Sequence, residues 1–82
     1  MSWFVYILRC SDNSLYTGIT NDVPRRLDEH NQGKLGAKYT RARRPVTLVY
    51  QEVLDDRSQA SIRESEIKKL KKLEKETLIK SG

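Results

Sequence analysis

Of the two adjacent arginines in the stretch TNDVPRRLDEH, Thr20 to His30, one leans toward the interior and the other toward solvent. On a helical wheel at ~100° per residue, Val23, Arg26, Leu27 and His30 fall in one sector roughly 100° wide, while Arg25 lies on the far side with Asp28. A guanidinium and an imidazole beside an apolar face need a reason, because arginine is almost never fully buried without a partner. A later stretch repeats the pattern with the opposite charge: Ala60, Glu64 and Ile67 lie within about 60° of one another, and Glu66 points away. A carboxylate on a buried stripe costs free energy unless a cation or a metal faces it. An Arg26–Glu64 ion pair would satisfy both charges within the core. Taken alone, Arg26 would lay its methylenes over the core and keep its head in water, with His30 a satisfied boundary residue.

Tyrosines supply the second set of reactive groups. Tyr6 shares a strand face with Phe4 and Leu8, and Tyr16 shares one with Gly18. A three-residue loop, Ser11 to Asn13, sets Leu8 opposite Tyr16 and Tyr6 opposite Gly18, which places both phenols on one side of the sheet; a two-residue loop separates them. Gly18 is then expected to leave open space beside Tyr6, where a ligand backbone can approach. The plain alternative for both tyrosines is aromatic packing on a sheet.

The elements that must position these groups follow from local pattern. Residues 3 to 9 are rich in aromatic and β-branched types, SDNS forms a turn, and LYTGIT reads as a second strand. Asn21 and Asp22 are good N-caps and Pro24 suits a first turn, so a short helix runs to about Asn31 and is stopped by Gly33 and Gly36. After a basic loop, VTLVYQEV reads as a third strand in which Val46, Leu48 and Tyr50 alternate with Thr47, Val49 and Gln51. DDRS starts another helix, and the chain has no glycine or proline from Ser58 until Gly82. One straight helix of that length does not suit so small a domain, which predicts a break near residues 72 to 74. The tally is ββαβα with a possible final helix, a single α+β domain over residues 1 to 82.

Length and charge narrow the function. A chain of 82 residues buries only about 60% of its unfolded surface, leaving no room for a second site-bearing domain. Its net charge of +5 sits in one place: Lys34, Lys38, Arg41, Arg43 and Arg44 occupy residues 30 to 50 with no acid among them. Such a block reads as a surface for phosphate, since bound lysine and arginine release the counterions condensed on nucleic acid; a solvated loop is the plain alternative. It has no broad apolar face of the kind that a membrane-surface helix needs. The lone Cys10 excludes an internal disulfide and a cysteine metal cluster, and fits a reducing compartment. The opening WFVYILRC is too short to span a bilayer and lacks the marks of a secretory signal, so a soluble, cytoplasmic protein is expected.

Taken together, FVY at 4 to 6, YTG at 16 to 18, Arg26, His30 and Glu64 resemble the GIY-YIG nuclease superfamily. The likeness is greatest to its small stand-alone bacterial members, through the run from Tyr16 to Tyr50. The first tripeptide departs from the family name, with Phe4 and Val5 for Gly and Ile, which touches packing more than chemistry because Tyr6 is kept. The resemblance implies a three-stranded antiparallel sheet flanked by helices, and a metal-dependent phosphodiesterase site on one of its faces. Tyr6, Tyr16, Arg26, His30 and Glu64 carry over as catalytic positions, with Glu64 the holder of one Mg²⁺ or Mn²⁺ ion. Arg26 would grip phosphate through its planar fork. Tyr6, assisted by His30, would take a proton from the attacking water, which demands a phenol whose pKa nearby cations lower. Gly18, Lys34, Lys38, Tyr39, Arg41, Arg43 and Arg44 form the expected nucleic-acid surface, DNA being the foremost partner, with Tyr39 stacking on an unpaired base. The alternative is a module of the same fold that binds nucleic acid without cutting it.

Overall fold

The computed structural model describes residues 2–33 and 35–82. Strand β1 (Trp3–Arg9) turns into β2 (Leu15–Thr20), then come helix α1 (Val23–Asn31), the short helix α2 (Lys38–Arg41), strand β3 (Thr47–Leu54), α3 (Arg57–Lys68) and α4 (Lys72–Ser81). The three strands are antiparallel in the order β2-β1-β3, an α+β sheet flanked by helices as the sequence predicts.

The hairpin loop fixes everything downstream. Cys10 N–H bonds to Ser14 O at 2.9 Å, leaving Ser11–Asn13 as the loop, and Asn13 takes a left-handed φ of 71°. This is the three-residue hairpin with its αL residue, and asparagine tolerates that conformation well. Asp12 Oδ1 accepts from both the Ser14 amide and hydroxyl, which rigidifies the turn. The resulting register sets Tyr6 opposite Gly18 and Leu8 opposite Tyr16. Both phenols therefore rise from one side of the sheet.

Strict alternation splits the core between the two faces. Tyr6, Leu8, Cys10 and Val46 form one cluster, joined by Tyr16, Leu27 and Leu48 beneath α1. Val5, Ile7 and Ile67 form the other, joined by Val49, Tyr50, Leu78 and Ile79 beneath α3 and α4. Val5, Ile7 and Leu8 are fully buried, so β1 is the central strand in packing as well as in order.

Three expectations are corrected. Leu48 and Tyr50 do not share a face: a register shift at Ile7/Leu8 pairs Ile7 with Tyr50 and Leu8 with Leu48, so Val49 is the extra residue of a β-bulge and the alternation resets. The stretch expected as loop contains α2. The C-terminal helical run breaks at residues 69 to 71 rather than 72 to 74: the Lys69 and Leu70 amides bond back to Glu66 O and Ile67 O, which tightens the last turn of α3. Glu74 Oε1 then accepts from the Lys71 amide to start α4, and Glu76 holds Arg9 at 2.6 Å, tying α4 to the sheet. Among the described residues, no helix is long and apolar enough to cross a membrane.

Candidate active site

Asp22 caps α1 by accepting from the Arg25 amide at 3.2 Å, and this start determines which arginine turns inward. Arg25 is exposed and Arg26 half-buried, as the wheel predicts. His30, four residues after Arg26, is fully buried beneath α1, and its Nε2 lies 2.8 Å from Tyr6 Oη. Its Nδ1 lies 2.8 Å from Oγ1 of Thr40, also fully buried. The Tyr16 ring meets the imidazole edge-on with centroids 5.1 Å apart. Strand, hairpin, helix and basic segment thus converge on one imidazole.

Gly18 has a different role from the expected one. A Cβ at this position would stand 2.5 Å from Tyr6 Oη and 2.7 Å from its Cζ. The space above the glycine is filled by the phenol itself, not left for a ligand. Glycine is required here so that Tyr6 can lie across β2 and reach His30.

The ion pair expected between Arg26 and Glu64 does not form. Arg26 Nη1 donates to Glu29 Oε1 at 3.0 Å and to Leu35 O at 2.7 Å, with its side chain 26% exposed. Glu29 lies three residues along the same helix and so reaches Arg26 locally, whereas Glu64 sits on a helix whose Ile67 packs against the other face of the sheet. The Glu64 carboxylate pairs instead with Lys68 Nζ at 3.3 Å and is 23% exposed. Its charge still reaches the site, because it raises the pKa of the Tyr6 phenol. Tyr6, Tyr16, Gly18 and His30 meet directly, with Arg26 near the phenol, and Glu64 bears on Tyr6 only through its charge.

Burial pushes the Tyr6 phenol up to about 12; Tyr16 and Glu64 add to the rise, and the nearby Arg26 opposes it. This contradicts the lowered phenol that the sequence reading demanded, since one guanidinium does not offset the loss of water around a group 2% exposed. Burial likewise pushes His30 down to about 4, helped by Arg26 and Arg44 and opposed by Glu29. Near neutrality the pair is a neutral phenol bonded to a neutral imidazole.

The basic segment divides into structural and free charge. Arg44 donates to the carbonyls of His30 and Gly33, each at 2.6 Å, and of Glu29 at 3.3 Å, so it caps the C-terminal end of α1. Arg43 binds Asp12 at 3.0 Å and lies 3.8 Å above the Tyr39 ring, which also stacks with Tyr16 at a centroid distance of 6.0 Å. Tyr39 thus packs against Arg43 and Tyr16 while remaining exposed at the surface. Lys38 and Arg41 project into solvent; Lys34 lies outside the described residues. Gly36 lets this segment lie against α1, where a Cβ would come within 2.6 Å of Glu29 O. A cavity of about 400 Å³ between Phe4, Pro24, Leu48 and Gln51 lies elsewhere, with none of the five candidate catalytic side chains in its walls.

A family model described as the GIY-YIG catalytic domain matches residues 2–77. The chain belongs to the GIY-YIG family. Among curated relatives, UPF0213 protein DP2720 of Desulfotalea psychrophila is 56% identical over 99% of this chain and 74% of its own length. A UPF0213 protein of Syntrophus aciditrophicus is 56% identical over 96% of this chain and 91% of its own. The solution structure of UPF0213 protein BH0048 from Bacillus halodurans superposes with a TM-score of 0.62 at 46% identity, covering 98% of this chain and 84% of that one. Protein EF2693 from E. faecalis gives a TM-score of 0.63 at 42% identity, over 95% and 83% of the two chains. The matched span includes the hairpin in which Tyr6 pairs with Gly18.

Among the described residues, no three His, Cys, Asp or Glu side chains gather as a metal cage. The donor set at this GIY-YIG site fits an ion held by one carboxylate, Glu64, whose partner Lys68 is exposed enough to swing aside. A small hard cation that keeps most of its waters suits such a site. The sequence reading missed three residues that organise it: Thr40, Glu29 and Asn31. Asn31 mimics a strand neighbour, bonding the Val46 amide at 2.7 Å and carbonyl at 2.9 Å, and so ties α1 to the start of β3. The asparagine at the end of a helix offered a signal; nothing in the sequence marked Thr40.

Proposed function

We propose that this chain is a divalent-metal-dependent nuclease that hydrolyses phosphodiester bonds in DNA or structured nucleic acid. The observation that carries this reading is the Tyr6–His30 hydrogen bond, placed beside Arg26 and within the field of Glu64. Partly open Arg26 binds a phosphate oxygen through its fork, giving up the Leu35 carbonyl or Glu29 to do so. Glu64 would hold the metal, which when bound would supply positive charge to offset the negative charge of the transition state. Because the phenol is held neutral, Tyr6 acts as a relay. Its oxygen takes a proton from the attacking water as its own proton passes to His30 Nε2, the hydroxide oxygen bonds phosphorus, and the ester bond to the leaving oxygen breaks. His30 then returns its proton through Tyr6 and solvent to the leaving oxygen, which restores the neutral pair. No tyrosinate needs to form in the resting protein.

Purified protein incubated with duplex, single-stranded and branched DNA should cut in Mg²⁺ or Mn²⁺ and stop on chelation. Glu64→Ala and Arg26→Ala should each lower the rate by roughly 10²–10³ while leaving the fold intact. Binding without cutting on every substrate and with either metal would point instead to a non-catalytic binding module. The solvent-facing basic charge bears on affinity: Lys38→Ala with Arg41→Ala should weaken binding and lower the slope of log K against log salt by up to about 2. An unchanged slope removes these two residues from the contact surface. Arg44 is unsuited to this test, since its loss uncaps α1.

A further inference from the structure

The hydrogen bonds around His30 have a definite direction, and it is set outside the groups that would touch substrate. Thr40 Oγ1 lies 2.9 Å from the Ala37 carbonyl and 2.8 Å from His30 Nδ1, and both Thr40 and His30 are fully buried. A carbonyl can only accept, so the single hydroxyl proton of Thr40 goes to Ala37. Towards His30 the hydroxyl oxygen can then only accept, which requires a proton on Nδ1. In the neutral ring Nε2 is left with a lone pair, and Tyr6 Oη, 2.8 Å away, must donate to it. The phenol's lone pairs are thereby turned away from His30.

We propose that Thr40 is a positioning residue that locks His30 in the Nδ1–H form and so aims the Tyr6 proton at Nε2. With the other tautomer, Nε2–H would donate to Tyr6 Oη, the phenol proton would point elsewhere, and Tyr6 would have no base to receive it. The lock draws on no charge: Arg26, Glu29 and Arg44 act on the imidazole electrostatically, but none of them bonds Nδ1 in place of the hydroxyl. Ala37 is the N-cap residue of α2, so the tautomer of a side chain on α1 is dictated by the backbone of the basic segment. The tautomer assignment stands on geometry alone. Its consequence for catalysis rests on the nuclease reading above.

The test is heteronuclear NMR of the full chain labelled with ¹⁵N in its one histidine. At neutral pH the ring should show a proton on Nδ1 and an unprotonated, acceptor-type Nε2. Thr40→Val, close in shape but without the hydroxyl, should move the proton to Nε2 or to a mixture of the two forms. Where the nuclease assay is active, it should lower kcat at least about tenfold with little change in KM. Thr40→Ser should restore both the spectrum and the rate, which a purely packing role would not require. A proton found on Nε2 in the unaltered protein overturns the proposal, and that reading holds even if Thr40→Val does not fold. So does a Thr40→Val protein with the original tautomer and full activity. If the tautomer is as stated and no nucleic acid is cut, the lock stands and the nuclease reading is what fails.

Discussion

Between pH 7 and pH 4.5 the protein should lose on the order of 2 kcal/mol of unfolding free energy, and His30→Gln should abolish most of that loss. His30 is pushed down to about 4 in the folded chain from an ordinary value of 6.5. As pH falls through 6.5 the unfolded chain takes up a proton that the native state refuses, so stability is fully present above 6.5. It declines as pH approaches 4 and levels off below. The chain has one histidine, which isolates the window. The carboxylates held low in the native state, Asp12 by Ser14 and Arg43, Glu52 by Arg63 and Tyr50, and Glu76 by Arg9, stabilise above their unfolded values of 3.8 to 4.5 and lose that contribution mainly as pH falls below them. Urea unfolding at closely spaced pH values reads the effect directly. A flat profile from 7 to 4.5 would mean that His30 accepts a proton where it stands, in conflict with its burial between Tyr6 and Thr40.

The parts of the site that were legible in the sequence are those set by periodicity. A period of 3.6 separates Arg26 from Arg25 and Glu64 from Glu66, and a period of 2 with a three-residue loop puts Tyr6 above Gly18; each holds in three dimensions. What periodicity does not carry is distance between elements. The wheel places Arg26 and Glu64 on inward faces but does not set the distance between them, and Glu29 three residues away satisfies the guanidinium first. The bulge at Val49 escaped for a related reason: an inserted residue leaves composition unchanged and is seen only against the partner strand. Net charge misled in another way. Five bases within 21 residues read as one surface, yet Arg44 is bonded to three backbone carbonyls, and Arg43, though partly exposed, pairs with Asp12 and lies over Tyr39. Only the side chain's partners tell structural charge from free charge.

Tyr6→Phe should separate the chemistry from the scaffold more sharply than any other single change. The ring remains, so its packing over Gly18 and against Leu8 is kept, but the hydroxyl that donates to His30 Nε2 is gone. A fully buried acceptor without a donor costs about 1–3 kcal/mol, to be read as a lower midpoint in urea. The relay also loses its central atom, because His30 lies too deep to meet water itself, and the cleavage rate should fall by ~10²–10⁴. Tyr16→Phe is the control for the scaffold. Its ring would still meet His30 edge-on and stack with Tyr39, so stability should stay within about 0.5 kcal/mol of the parent. Both variants are compared well below their unfolding midpoints, so that a folded population is what turns over. Near-normal cutting by Tyr6→Phe would show that water gives its proton to another group, and the Tyr6–His30 hydrogen bond would then be a device of the core alone. Loss of cutting with the expected loss of stability would tie the same hydrogen bond to both.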